Sequence, residues 1–441
     1  MVKTGKFFSI FAVLTLLILL APAVILAPGG NVAAAGETAG GAIDKAIIVK
    51  GNQTEDMFAA DTNLAYNEST QHRNLSADDI QYLDGNTSDK RVDAIANKTN
   101  LKNAITDWAK NNCTSGGKLT IYISSHGGDE TVDIGPDTVN ETELKAWIGE
   151  LRNASGVNIS ELIIVIQGCN SGSFIASLSA PNTTVITSCT ANQTSYGFYE
   201  EGSYFSQSFW KKITDNWTMV KAFNEACCKT NVALSPYNLT ETPLYEDNGN
   251  GVGHSAPLPN GGDGDRTKDL KIGVNVSINQ RPVIEDKTPD QSVAPGSSMN
   301  LTVTATDDVA VTRVYGYVCP PDYVIPEDGF LDLEKIEFTN LGGDLWQVPY
   351  TFDKVGDYYI TLYAEDAELS SSYGDDIHIS SAPAVGGIVK FPQMEQPGAV
   401  TPDSSGHNYG ALAGIIVGAT VGVIMLISAA WYIRRRRTKA I

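Results

Sequence analysis

Cysteine is scarce, with 6 residues in a chain of 441. Thiols spread that thinly do not make a disulfide framework. Cys227 and Cys228, adjacent on a predicted helix, are poorly placed to bridge each other, and no bridge is assigned among Cys113, Cys189 and Cys319. Basic residues are also few: Lys and Arg total 31 against 51 Asp and Glu, for a formal net charge of -20. A surface of that sign argues against a nucleic-acid partner. The one oxygen-rich turn, Tyr245 to Gly251, resembles a calcium loop only superficially. The twelfth position counted from Asp247 is Leu258, where the motif needs an acid. No metal or other cofactor is therefore expected.

Two long apolar runs stand at the ends of the chain. Lys3 and Lys6 precede the first, Phe7 to Leu26, and Ala33-Ala34-Ala35 follow it. This predicts a secretory signal peptide over residues 1–35, with an uncleaved signal anchor as the alternative. The second run, residues 409–433, is long enough to span a bilayer. Gly410, Gly414, Gly418 and Gly422 mark a face suited to helix-mediated self-association. Arg434 to Arg437 and Lys439 put the tail, residues 434–441, in the cytoplasm. The expectation is a single-pass type I protein of the cell membrane with its bulk extracellular. Asn-x-Ser/Thr sequons from Asn52 to Asn300 crowd the region between the apolar runs and fit an exported glycoprotein.

The chain length suggests two or three domains. The informative stretch runs from Lys118 to Phe174. Leu119-Thr120-Ile121-Tyr122-Ile123 leads into Ser124-Ser125-His126-Gly127-Gly128. Leu162-Ile163-Ile164-Val165-Ile166 leads into Gln167-Gly168-Cys169-Asn170-Ser171-Gly172-Ser173. Both runs read as buried parallel strands. Leu144, Trp147, Ile148 and Leu151 recur at helical spacing between them. A right-handed crossover then brings both carboxyl ends to one sheet edge, where open α/β sheets hold ligands. His126 and Cys169 are expected to meet there. An imidazole beside a thiol can take its proton as attack proceeds, and the glycines free backbone N–H groups for an oxyanion. A serine nucleophile is disfavoured, because Ser171 stands one place away from the nucleophile-elbow pattern.

At Ser125-His126-Gly127 and Gln167-Gly168-Cys169-Asn170-Ser171-Gly172-Ser173 the chain resembles the legumain (asparaginyl endopeptidase) family of caspase-like cysteine peptidases. The resemblance covers roughly residues 45–253, and Gly168 stands where that family usually has Ala. It implies a catalytic Cys169 and His126, an oxyanion contact from Gly127, and an Asn52 that orients the imidazole. Asn52 is also a sequon, and glycosylation is incompatible with that role. The resemblance further implies a substrate pocket near Ser188, Ser195, Glu200 and Glu201, built by the stretches Ala191 to Phe198 and Ser203 to Trp210. The family's acidic pocket residue has no clear counterpart, since Ser203 falls near its place. Its basic residue has none near Asn52 to Asp56, which puts asparagine specificity in doubt.

Around this stretch, Ala46 to Gly51, Ile80 to Leu83 and Thr184 to Ser188 read as further strands. Ala59 to Asn67, Asn100 to Asn111 and Met219 to Cys228 read as helices. After the turn Tyr245 to Gly251, Gly and Asp dominate to Asp265, which suggests a mobile linker or flap. Beyond Asn279 short alternating runs, Met299 to Ala305, Val311 to Val318, Trp346 to Phe352, Tyr358 to Ala364 and Asp376 to Ile379, predict an all-β sandwich. Gly356-Asp357-Tyr358-Tyr359 resembles a tyrosine corner. The expected architecture is a caspase-like α/β/α sandwich with a mostly parallel sheet (residues 43–275), an immunoglobulin-like β-sandwich (280–382), a Pro/Gly/Ser-rich stalk (383–408) and one transmembrane helix. The expected function is a membrane-anchored cysteine endopeptidase acting on a protein or peptide. A transamidase of the glycosylphosphatidylinositol-transamidase type and a non-catalytic adhesion protein are the alternatives.

Overall fold

Uninterrupted β-branched runs become the middle of a parallel sheet. The computed structural model describes residues 42–382, apart from 53, 55, 273–278 and 368–370. The expected signal peptide, stalk, membrane helix and basic tail lie outside the described residues. Among the described residues no helix is long and apolar enough to cross a membrane. The first part of the chain runs β1 (Lys45–Lys50), α1 (Asp56–Asn67), β2 (Ile80–Asp84), β3 (Ala94–Ile95), α2 (Lys98–Asn103), α3 (Ala109–Asn112) and β4 (Lys118–Ser124). It continues through β5 (Gly127–Gly128), β6 (Thr131–Ile134), β7 (Asp137–Asn140), α4 (Glu141–Arg152), β8 (Glu161–Gln167), α5 (Ile175–Leu178) and β9 (Thr183–Thr187). Then come β10 (Gly197–Phe198), β11 (Gly202–Ser203), α6 (Tyr204–Thr214), α7 (Met219–Leu234) and β12 (Leu244–Glu246). The main sheet has the order β12-β9-β8-β4-β1-β2-β3. Every neighbour is parallel except β12, which runs against β9.

Period-two alternation sends the strand residues to two separate cores. Ile47, Val49, Ile121, Ile123, Ile164 and Ile166 meet Leu101, Ile105, Leu144, Leu151 and Ile175 on one face. Ile48, Tyr122, Ile163, Val165 and Ile186 meet Phe205, Phe209, Trp210 and Phe223 on the other. The result is the expected three-layer α/β/α sandwich. α4 starts at a reciprocal cap: Asn140 accepts from Glu143 N at 2.9 Å, while the Glu143 carboxylate accepts from Asn140 N at 3.2 Å, a device worth about 1 kcal/mol.

Three expectations change. The crossover from β4 to α4 carries an inserted small sheet, β5-β6-β7, whose Val132, Ile134 and Val139 are buried. Ser203 to Trp210, expected as a pocket loop, is instead the start of α6, with Phe205, Phe209 and Trp210 in the core. The Gly- and Asp-rich stretch after β12, expected as a mobile linker, is pinned. Asp247 accepts from Gly264 N, Thr267 N and Thr267 Oγ1, and Asp263 pairs with His254 at 2.7 Å. Arg266 forks onto Glu161 with contacts of 2.6 and 2.7 Å.

The second part is an all-β sandwich. Its strands are β13 (Val283–Lys287), β14 (Gln291–Val293), β15 (Ser297–Thr306), β16 (Val311–Cys319), β17 (Phe330–Leu331), β18 (Glu334–Glu337), β19 (Thr339–Gly342), β20 (Leu345–Phe352), β21 (Gly356–Asp366) and β22 (Asp375–Ser381). The two sheets are β13-β15-β20-β19 and β14-β22-β21-β16-β18. Their inner faces bury Leu301, Val303, Val314, Val318, Ile360, Leu362 and Ile377. Tyr358 OH accepts from Lys354 N at 2.9 Å, which makes the tyrosine corner. β17 belongs to neither sheet. It lies in parallel on β10 of the α/β part, pairing Gly197 with Phe330 and Phe198 with Leu331.

Polar and aromatic contacts join the two parts. Phe198 stacks on Tyr317 with centroids 4.6 Å apart. Lys211, whose ammonium is driven down to about 7 by burial, donates to Ser372 O at 3.0 Å. Arg281 pairs with buried Glu68 at 2.9 Å.

Candidate active site

Register brings the reactive residues together. β4 and β8 pair in parallel with Ser124 opposite Gln167. His126 and Cys169 each stand two residues beyond that pair, so both leave the sheet at the same level. Ser125 N donates to Gln167 O at 3.1 Å, which extends the contact past the strand ends. The two loops then touch backbone to backbone. A Cβ on Gly168 would lie 2.4 Å from Ser125 O, and one on Gly127 would lie 2.1 Å from Cys169 O. Only glycine permits such an approach. Asn170 follows the cysteine with φ of 59°, turning the chain sharply into the helical turn Ser171–Phe174. Its side chain donates to Ala191 O at 2.8 Å, and its N–H donates to Gln193 O.

Cys169 is half-buried. Burial, chiefly, holds its thiol above the ordinary range, against a backbone hydrogen bond from Ser195; the charges of Glu241 and Asp328 add to the rise. The His126 ring packs edge-on to Phe58 of α1, with centroids 5.1 Å apart, and to Phe330 of β17 at 5.2 Å.

A buried polar chain runs beside Cys169 from Gln167. Gln167 donates to Ser195 Oγ at 2.6 Å and accepts from Ser206 Oγ at 2.9 Å, which itself accepts from Tyr122 OH at 2.8 Å. Ser195 donates onward to Glu241 at 2.9 Å, and Tyr196 N donates to the other Glu241 oxygen at 2.8 Å. Glu241 is fully buried, and burial pushes its carboxyl up to about 8. A second buried carboxylate, Asp61, accepts from Ser124 Oγ, Ser203 N, Ser203 Oγ and Gln207 Nε2, and burial raises it to about 6. It ties α1 to the end of the histidine strand and to β11.

The residues expected around the site divide accordingly. Cys169, His126 and Gly127 come together. Gly51 packs on Ser125, so the following Asn52 stands beside the histidine loop. The Asn52 side-chain oxygen accepts from Thr54 N at 2.8 Å and Thr54 Oγ1 at 3.0 Å. Ser188 is buried, with its hydroxyl accepting from Gly168 N at 3.1 Å, so it braces the cysteine loop. Ser195 is buried in the Gln167 and Glu241 chain while its backbone faces Cys169. The expected pocket acids lie elsewhere. Glu200 pairs with Lys335 at 2.8 Å, and Glu201 accepts from Tyr315 and Tyr317 hydroxyls at 2.8 and 2.9 Å. Both face the sandwich, because aromatic and cationic partners there draw the carboxylates away from the cysteine. Sequence reasoning missed Phe58, Asp61, Glu241 and Phe330. Asp61 and Glu241 sit in ordinary polar surroundings in sequence, and Phe330 comes from the other part of the chain. Among the described residues no group of three or more His, Cys, Asp or Glu is placed to hold a metal ion.

Residues 53–232 match the model of the Peptidase C13 family, which supports a cysteine peptidase. No curated protein matches the chain. Among solved structures, caspase-1 from Spodoptera frugiperda is similar at 12% identity with a TM-score of 0.34, over 48% of this chain and 91% of that chain.

Proposed function

We propose that this chain is a legumain-like cysteine endopeptidase, anchored in the cell membrane with its catalytic part outside, that works through a His126 and Cys169 dyad. One observation carries the reading. The two residues leave adjacent parallel strands in matching register, and their loops meet with no side chain between Gly127 and the Cys169 carbonyl.

Cys169 Sγ attacks the scissile carbonyl and His126 takes the thiol proton. The proton then passes to the leaving amine, and the C–N bond breaks to leave a thioester. Water adds to the thioester, with His126 as base, and releases the acid and the free thiol. Burial raises the Cys169 thiol and so favours transfer of its proton during attack. Backbone N–H groups of Cys169 and Gly127 hold the oxyanion. The chemistry needs no cofactor. The sandwich is an immunoglobulin-like module between the peptidase and the membrane stalk. None of the described sequon asparagines is buried, which supports an exported surface.

The test is a peptide library incubated with the full chain in detergent, with and without an added amine, beside Cys169→Ala and His126→Ala. Acid products that both substitutions abolish support the peptidase. Amine-capped products in preference to acids transfer the assignment to a transamidase. Absence of any product from the wild type counts against catalysis.

A further inference from the structure

β10 is a short strand close to Cys169 in the chain. It begins two residues after Ser195, whose backbone bonds toward the Cys169 sulfur. Peptides commonly bind by adding a strand to an open edge. Yet the order β11-β10-β17 leaves β10 without one, since β11 takes one side and β17 the other. β17 is the occupant on the side of the reactive residues. Gly197 N donates to Gly329 O at 3.2 Å. Gly329 has φ of 85°, and a Cβ there would lie 2.3 Å from Ser195 O. The next residue, Phe330, puts its ring against His126.

This arm reaches from the sandwich that carries it to the α/β part. It leaves β16 at Cys319 and rejoins at β18. Phe330 is buried in neither large core. It forms a small cluster of its own with Met57 and Phe58 of the α/β part. Leu331 and Leu333, at its end, join Phe198, Tyr315 and Tyr317 in a core shared by the two parts, while Val324 nearer its start is 82% exposed. Lys335, just past the arm, grips Glu200 and Glu201 at 2.8 and 3.5 Å. Partly exposed ion pairs of this kind are weak, and a two-residue ladder is short. Tethering, through a high local concentration, and the burial of Leu331 in the shared core supply the occupancy.

We infer that residues 326–331 are an intramolecular competitor for the peptide-binding edge of β10, with Phe330 as a plug on His126, and that substrate enters only when this arm lifts. The enzymatic half of this inference rests on the peptidase reading above; the occlusion of Cys169 does not.

The experiment uses the full chain in detergent with Phe330→Ala, and separately with Lys335→Ala, which weakens the grip without touching the histidine. Two quantities are read: the rate at which iodoacetamide labels Cys169, by mass spectrometry of its peptide, and kcat/KM on a peptide substrate. Exposed Cys228 serves as the internal labelling reference. If the arm is docked for about 90–99% of the time, releasing it raises both quantities about 10–100-fold. Cys228 labelling stays unchanged, which shows the fold is retained. Lys335→Ala gives a smaller rise of the same sign. Cys169 labelling that stays level or slows in both variants overturns the inference; a fall in kcat/KM with it makes Phe330 a positioning residue of a composite site. Faster labelling with no cleavage by any variant upholds the occlusion and removes the peptidase reading.

Discussion

Gly127 and Cys169 approach so closely that a Cβ on the glycine would stand 2.1 Å from the cysteine carbonyl oxygen. The contact sets the spacing of the histidine and cysteine loops, because their backbones touch there. It holds the Gly127 N–H beside the cysteine loop as well. Gly127→Ala is therefore expected to push the loops apart. A displacement near 1 Å in a catalytic array costs about 100-fold, so kcat is expected to fall by about that factor, and the backbone clash is expected to lower the melting temperature as well. Steady-state kinetics beside a thermal melt checks this. Unchanged kcat would mean that the loops have slack that the packing does not show.

The thiol environment sets a pH signature. Burial, with the charges of Glu241 and Asp328, holds Cys169 above the ordinary thiol range. Alkylation tracks the thiolate. The rate of Cys169 labelling in the free enzyme is expected to keep rising from about pH 6 to about pH 9, with no plateau on the acid side. His126→Ala keeps that profile and loses turnover. A plateau near neutrality in the wild type would instead reveal a preformed thiolate and imidazolium pair.

Much of this site was legible from sequence because it rests on short-range rules. The apolar runs before His126 and Cys169 declare buried parallel strands, and parallel register then places the residues that follow them. The sandwich strands with strong alternation were legible for the same reason. Edge strands β13, β14 and β19 were not, since a largely exposed edge carries little apolar pattern. Nor was the burial of Glu241, or the docking of Phe330 on His126 from some two hundred residues away. Those depend on which surfaces meet, and no local periodicity encodes that. Glu200 and Glu201 show the cost: near the pocket in sequence, they are claimed by Tyr315, Tyr317 and Lys335.

Glu241 makes stability pH-dependent. Its carboxyl sits at about 8 in the folded chain against an ordinary 4.5. Between those values the folded state holds a proton that the unfolded state has released. Stability from this group is thus fully present below about pH 4.5 and is lost as pH rises toward about 8. Asp61, raised to about 6 from 3.8, adds a slope of the same sign at lower pH. Glu241→Gln keeps an acceptor for Tyr196 N and removes the titration. Urea unfolding at about pH 5, 6.5 and 8 is expected to show a flatter profile for the variant than for the wild type. Parallel profiles would place the proton elsewhere.

The fork between Arg266 and Glu161 fastens the Gly- and Asp-rich stretch to the start of the cysteine strand. Glu161 is 5% exposed and also accepts from Thr184 Oγ1 at 2.7 Å. Arg266 donates further to Thr183 O at 2.9 Å and to Asp247 O. Removing the cation alone strands a buried carboxylate, so Arg266→Ala is expected to cost about 3 kcal/mol, the lower end of the range for buried pairs because the arginine is one-third exposed. Replacing both partners with apolar side chains removes the stranded charge. Arg266→Met with Glu161→Leu is accordingly expected to unfold at a higher urea concentration than Arg266→Ala. A double variant as unstable as the single one would show that the hydrogen bonds to Asp247 and Thr183, more than the ion pair, hold this stretch against the sheet.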